Sequence, residues 1–389
     1  MTILIPLIDF VIIVIVGGSP HPPIIEADWG FFGNVSIEPN MQTERFLLDT
    51  GSTVTWIYTS EILKQRLDQS FVPGSGIDPR VVTAISYTDA DPRVEYVDGA
   101  MVEFDTWGLR NFSIGNSIEW SQRFGVVSRG SVSEYFEYTG ILGLSPRSDF
   151  ALFYPRFGFR PIGGHQRRLN LFVSRIDPQW CLTSKLVVSS NTTRSDSWDI
   201  GGMVRIGNFT LETNFLPDSG TSAIVLPQVV FDAFIAEVGK GGIRVIYDKS
   251  DRLRPAKIDC DMISRFPTIE LEFLGSNGGP KSISIDSEMY VMKRNNESEC
   301  FLKVLYDSDE NMPIILGEPF LLNYIVGFDA EQERVDICLP ADNLSMDQEF
   351  IITTTTTTST GTSTDAAKDL KGFLPISFLL IIPIILVMF

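Results

Sequence analysis

The sequence predicts a mainly β fold in two lobes, and three observations lead there. Short apolar stretches with period-two alternation, punctuated by Gly, Pro, Asn and Asp, dominate residues 29–340. The tetrad Asp49-Thr50-Gly51-Ser52 recurs 169 residues later as Asp218-Ser219-Gly220-Thr221. Each tetrad is followed at a similar distance by an Ile-Leu-Gly string, whose Gly143 lies 94 residues past Asp49 and whose Gly317 lies 99 past Asp218. One structural unit used twice, with an acid at the same place in each copy, accounts for all three.

Taken in order, residues 1–18 are nearly all apolar, with an unbroken run over 10–16. That run is too short to span a bilayer and suits a signal-peptide core, with Val16-Gly17-Gly18 as the small residues of a cleavage site. The string 33–37 alternates as a strand, and Phe46-Leu47-Leu48 leads into the first tetrad. Residues 54–58 continue it as a β-prone stretch, and 102–107 read as a further strand. Helical patterning is confined mainly to 60–67 and 228–238. A Gly- and Arg-rich stretch at 161–168 separates a first lobe, 28–165, from a second, 166–342. Phe215-Leu216-Pro217 leads into the second tetrad, and 223–226 follow it.

Residues 343–372 form a Thr/Ser-rich stalk, with low complexity over 353–364 that buries no core. The final segment, 373–389, carries no charge. Small residues at 361–364, a polar spacer through Lys371 and an apolar tail are the grammar of a GPI-type lipid anchor, which is preferred here to a spanning helix.

Composition narrows the function. Hydrophobic residues make up 44% of the chain, enough for a substantial core. Lys plus Arg total 31 against 49 Asp plus Glu, a formal charge of −18, which argues against nucleic acid as a partner and suits work at low pH. Asn-X-Ser/Thr sequons stand at Asn34, Asn111, Asn191, Asn208, Asn296 and Asn343, and with the two end segments they indicate the secretory route, on its lumenal or extracellular face. Four cysteines fit disulfides there, in any of three connectivities. With only His21 and His165 and no CxxC pair, no metal site is expected.

The chemistry lies in the paired acids. A single Asp-X-Gly is usually a turn former bonding its own backbone. Two such acids brought face to face cannot both ionise easily, so they share one proton and transfer it.

Beyond the tetrads, Phe31-Phe32-Gly33-Asn34-Val35-Ser36-Ile37, Trp56, Tyr96-Val97-Asp98-Gly99-Ala100, Gly140-Ile141-Leu142-Gly143-Leu144, Ile315-Leu316-Gly317 with Phe320, and Val326-Gly327-Phe328-Asp329 complete a set. This set resembles the pepsin-like aspartic endopeptidases over residues 29–340. The resemblance implies a bilobed β fold with a central cleft, Asp49 and Asp218 at its base roughly 3 Å apart, and an extended peptide as substrate. It implies no cofactor, and a monomer is expected. Thr50 and Ser219 would each bond the opposite loop, Gly51 and Gly220 would let substrate backbone approach, and Ser52 and Thr221 would donate to the outer carboxylate oxygens. Tyr96 and Gly99 would belong to a flap over the cleft, with Trp56 bonding the Tyr96 hydroxyl. Cys260 with Cys300 matches the family's second-lobe disulfide, and Cys181 with Cys338 is similar to a pair in the membrane-anchored β-secretase type.

The chain also departs from the family. The residues between Gly18 and Trp29 leave no room for a prosegment, no cysteine falls in 60–76, Thr139 stands where aspartate is common, and 177–210 is short. The alternative is a membrane-anchored peptide-binding module with catalysis lost. A replaced catalytic aspartate would signal it, and neither is replaced.

Overall fold

The computed structural model describes residues 24–27, 31–38, 42–60, 84–85, 93–95, 101–115, 118–131, 138–162, 168–182, 188–245, 255–274, 280–293 and 299–341. All of them fall in one unit spanning 1–350. The expected signal segment, stalk and anchor, together with Tyr96, Gly99, Asn296, Asn343 and most of the helix expected over 60–67, lie outside the described residues.

Strands dominate, and two lobes are built around a shared centre. One sheet of 14 strands runs through the molecule. At one end are Val188–Asn191, Arg334–Cys338, Ile325–Asp329, Arg156–Pro161, Arg168–Phe172 and Ile24–Ala27, paired antiparallel in that order. The first lobe continues from Phe31–Ile37 through Gln42–Asp49, Gly140–Gly143, Trp56–Tyr58 and Ile118–Ser131 to Met101–Ile114. A further pairing of Met101–Ile114 back onto Phe31–Ile37 closes the strands of this lobe into a ring. Most of the second lobe's other strands form a separate sheet of seven, ordered Pro280–Ile285, Ile269–Leu274, Ile200–Ile206, Phe209–Pro217, Ile314–Leu316, Ile224–Pro227 and Val304–Asp307, and Ala256–Asp259, Glu299–Leu302 and Val291–Lys293 form a third sheet.

The alternation read from the sequence has a direct physical counterpart. In Phe31–Ile37, Phe31, Phe32, Gly33, Val35 and Ile37 are buried while Asn34 is exposed. Met101–Ile114 contains the expected strand 102–107, and Gln228–Lys240 is the expected helix. Val230, Phe231, Phe234 and Val238 fall on one face of that helix and bury it, as the helical period requires. The expected lobe boundary lies between Arg156–Pro161 and Arg168–Phe172, the two arms of a hairpin in the shared part of the large sheet.

The core crosses from lobe to lobe through aromatic rings. Phe157 of the first lobe packs on Phe328 of the second at 5.2 Å, continued within the first lobe by Phe150 on Phe157 at 5.2 Å and Phe46 on Phe112 at 5.8 Å, and within the second by Trp198 on Phe328 at 5.0 Å. Such pairs add to the burial of their own area. Cys181–Cys338 and Cys260–Cys300 are the disulfides formed. The first fixes the end of Arg334–Cys338, and the second joins Ala256–Asp259 to Glu299–Leu302, where Ile258 already faces Cys300.

Candidate active site

Each tetrad follows a strand that becomes buried toward its end, and is clasped by a second strand from far along the chain. Gln42–Asp49 runs parallel to Gly140–Gly143, with Asp49 opposite Gly143. Phe209–Pro217 runs parallel to Ile314–Leu316, with Pro217 opposite Leu316. After each tetrad the chain returns on the other side of the same clasping strand: Trp56–Tyr58 pairs antiparallel with Gly140–Gly143, and Ile224–Pro227 with Ile314–Leu316. The two Ile-Leu-Gly strings therefore pass behind the two acid loops, and their glycines allow the contact. A Cβ on Gly143 would stand 2.8 Å from the Ser52 carbonyl oxygen, and one on Gly317 would stand 2.3 Å from those of Thr221 and Ala223.

The tips of the two loops meet across the approximate two-fold. The Thr50 amide donates to the Ser219 hydroxyl at 3.1 Å, and the Ser219 amide to the Thr50 hydroxyl at 3.0 Å. The hydroxyls then donate onward, Thr50 to the Pro217 carbonyl at 2.9 Å and Ser219 to the Leu48 carbonyl at 2.6 Å. Thr50 and Ser219 are fully buried, so each polar group is satisfied by the opposite loop.

This grip sets Asp49 and Asp218 face to face. The Gly51 amide lies 2.9 Å from Oδ1 of Asp49 and 3.2 Å from Oδ1 of Asp218, a donor shared by both acids. The Gly220 amide donates to Oδ1 of Asp218 at 2.9 Å. The outer oxygens are held symmetrically: Ser52 donates to Oδ2 of Asp49 and Thr221 to Oδ2 of Asp218, both at 2.6 Å. A Cβ on Gly220 would collide with the opposite acid, 2.5 Å from Cγ of Asp49, and one on Gly51 would sit tightly against Oδ1 of Asp218 at 3.0 Å.

Burial pushes the Asp49 carboxyl well above its ordinary range; the neighbouring Asp218 charge and a side-chain hydrogen bond between the acids act in the same direction. The bonds from Ser52 and the Gly51 amide oppose the rise without cancelling it. An acid pair with two inward oxygens on a common donor can hold one proton between them and pass it to a third party.

The remaining expected positions fall as follows. Trp56 is buried, edge-on to Tyr58 with centroids 4.8 Å apart, and 6.3 Å from Tyr138. Asn34, Asn111, Asn191 and Asn208 are exposed, and Asn111 donates to Glu38 at 2.8 Å. Thr139 uses its amide and hydroxyl on the Arg45 carbonyl, at 2.8 and 3.0 Å, and is fully buried.

Three supports escaped the sequence reading. Leu144 donates its amide to the Asp49 carbonyl at 2.7 Å, and the buried Trp198 indole of the second lobe donates to the Leu144 carbonyl at 2.9 Å. Ser145 bonds the Ser52 carbonyl through its amide and Thr53 through its hydroxyl. Lys303 and Glu318 form a buried ion pair. Only the last had a signal, a lysine inside the apolar string 301–305.

Comparison with known proteins agrees with this geometry. The family described as "Eukaryotic aspartyl protease" matches residues 30–157 and 184–339, which include both tetrads and both clasping strands. Pepsin A of Gallus gallus is 24% identical, with 82% of this chain and 86% of the relative covered. Gastricsin of Callithrix jacchus is 23% identical over 82% and 84%, and Plasmepsin VIII of Plasmodium berghei (strain Anka) is 23% identical over 79% and 86%.

Proposed function

This chain belongs to the eukaryotic aspartyl protease family, and we propose that it is an active endopeptidase in which Asp49 and Asp218 activate water against a peptide bond at acid pH. The observation that carries the reading is the face-to-face pair on one shared amide, locked by reciprocal bonds between the loops. At acid pH the pair holds a single proton. The ionised oxygen takes a proton from a water between the acids, and the resulting hydroxide equivalent adds to the scissile carbonyl carbon. The protonated partner donates to the carbonyl oxygen, giving a tetrahedral diol. Collapse of the diol breaks the C–N bond, a proton passes to the leaving amine, and the pair returns to its starting state. No bond to the protein forms. Tyr96 and Gly99 are assigned to a flap over the bound peptide, and Trp56 to its support.

The proposal extends to the rest of the chain. Residues 28–165 and 166–342 are taken as the two catalytic lobes, preceded by the signal segment 1–18 and followed by the stalk 343–372 and the anchor 373–389. Among the described residues no helix is long and apolar enough to cross a membrane. The two disulfides and the exposed sequons Asn34, Asn111, Asn191 and Asn208 support a lumenal or extracellular site. Monomeric action on extended peptides or proteins completes the reading.

The test is cleavage of a peptide library by the folded full chain between about pH 3 and 7, with and without a statine-type transition-state mimic. Cleavage strongest at the acid end and blocked by the mimic is expected. A folded chain that cleaves nothing and binds no mimic overturns the proposal.

A further inference from the structure

The two halves of the site are braced by different chemistry. In the first half the Ser52 carbonyl accepts from the Ser145 amide at 3.0 Å, and the Ser145 hydroxyl bonds that of Thr53 at 2.9 Å. This brace is neutral. In the second half the Thr221 carbonyl accepts from the Glu318 amide at 2.8 Å, and Oε2 of Glu318 pairs with Nζ of Lys303 at 2.5 Å. The two side chains are only 1% and 3% exposed. Lys303 is also tied to the chain leaving the tetrad, since its carbonyl accepts from the Ile224 amide at 3.0 Å. The ion pair thus grips the stretch 221–224 at both ends.

A buried ion pair is a poor device for stability alone. Removing two charges from water costs several kcal/mol per ion, and well-packed apolar residues often replace such a pair at no loss. What the pair supplies is a fixed geometry in a dry setting.

We propose that Glu318, held by Lys303, is a positioning residue for Asp218: it anchors the Thr221 carbonyl so that the Thr221 hydroxyl stays on Oδ2 of Asp218. This rests on Asp218 being one of the two catalytic acids. The first half reaches the same end with hydroxyls, so the pair distinguishes two otherwise matched loops.

The experiment compares the full-length parent with the double variant Lys303→Met/Glu318→Leu, which leaves neither charge unpaired. Its urea midpoint is expected at or above that of the parent. Its kcat on a cleaved peptide is expected to fall on the order of tenfold to a hundredfold, with KM changed by less than about twofold, because a small misplacement of a catalytic group lowers the rate more than it lowers binding. In parallel, the carbon-13 carboxyl resonance of Asp218, assigned by its loss in Asp218→Asn, is expected to move. A folded double variant with parental kcat and an unmoved Asp218 resonance overturns the proposal. If the Met/Leu pair does not fold, Lys303→Gln/Glu318→Gln is measured instead, with both readouts expected to move in the same direction and their constancy counting against the proposal. Should the parent cleave nothing, the protease reading fails while the resonance still decides the positioning.

Discussion

Thr50 and Ser219 hold each other in place: each amide donates to the other's hydroxyl, at 3.1 and 3.0 Å, from loops 169 residues apart. Each hydroxyl then donates to the strand that enters the opposite loop. Neither acid can shift without the other, which turns two separate turns into one rigid unit.

Breaking that exchange strands buried donors. Thr50→Val leaves the Ser219 amide without its acceptor, and Ser219→Ala does the same to the Thr50 amide. Each is expected to cost about 1–3 kcal/mol in urea unfolding, and the double variant less than the sum, since both changes remove the same network. Turnover is expected to fall further than stability. Thr50→Ser, which keeps the hydroxyl, is expected to preserve most of both.

The glycine behind each loop is there for space. Gly317→Ala would place a Cβ 2.3 Å from two carbonyl oxygens of the second loop, whereas Gly239→Ala, on the exposed end of Gln228–Lys240, meets nothing within 4 Å. Thermal unfolding is expected to show a large loss for the first, with loss of turnover. The second is expected to gain about 0.5–1 kcal/mol from helix propensity.

The Asp49 carboxyl titrates above its ordinary range because it is buried beside Asp218. The folded state therefore binds this proton more tightly than the unfolded state, and stability falls as pH rises from about 3.9, the unfolded aspartate value, through the raised folded value. Asn cannot ionise. Asp49→Asn is expected to match the parent in urea midpoint below that window and to exceed it above, while losing turnover throughout. Parallel stability curves for the two proteins would contradict the assignment.

Each disulfide ties a sheet strand to a distant segment, with sequence separations of 157 for Cys181–Cys338 and 40 for Cys260–Cys300. Replacing either pair with serine is expected to cost about 2–5 kcal/mol in urea unfolding under oxidising conditions. Reduction of the parent is expected to reproduce the loss.

Much of the site could be read from residue order because its chemistry is local. The hydroxyl three residues after each acid reaches that acid's outer oxygen, and Gly51 and Gly220 sit where a side chain would crowd the opposite carboxyl. Duplication supplied the rest, since Ile141-Leu142-Gly143 and Ile315-Leu316-Gly317 had to play equivalent parts. Long-range docking was not legible. Nothing in the composition of 24–27 shows that Ile24–Ala27 bridges Phe31–Ile37 and Arg168–Phe172, and nothing local says that Trp198 reaches back to Leu144. The stretch 161–168 reads as a linker because glycine and charge punctuate it, yet the strands on either side pair with each other in the shared sheet. Lys303 stands between the strands Glu299–Leu302 and Val304–Asp307, inside an apolar stretch, and its partner lies 15 residues on, past a turn whose path the sequence does not reveal.

The most direct measurement of the central claim is kcat/KM against pH for the parent, Asp49→Asn and Asp218→Asn, on one peptide that the parent cleaves. A bell in the acid range for the parent, set by gain and loss of the single held hydrogen, with cleavage lost at every pH in both variants, is the expected result. Cleavage that survives in either variant with the parent's profile would contradict it.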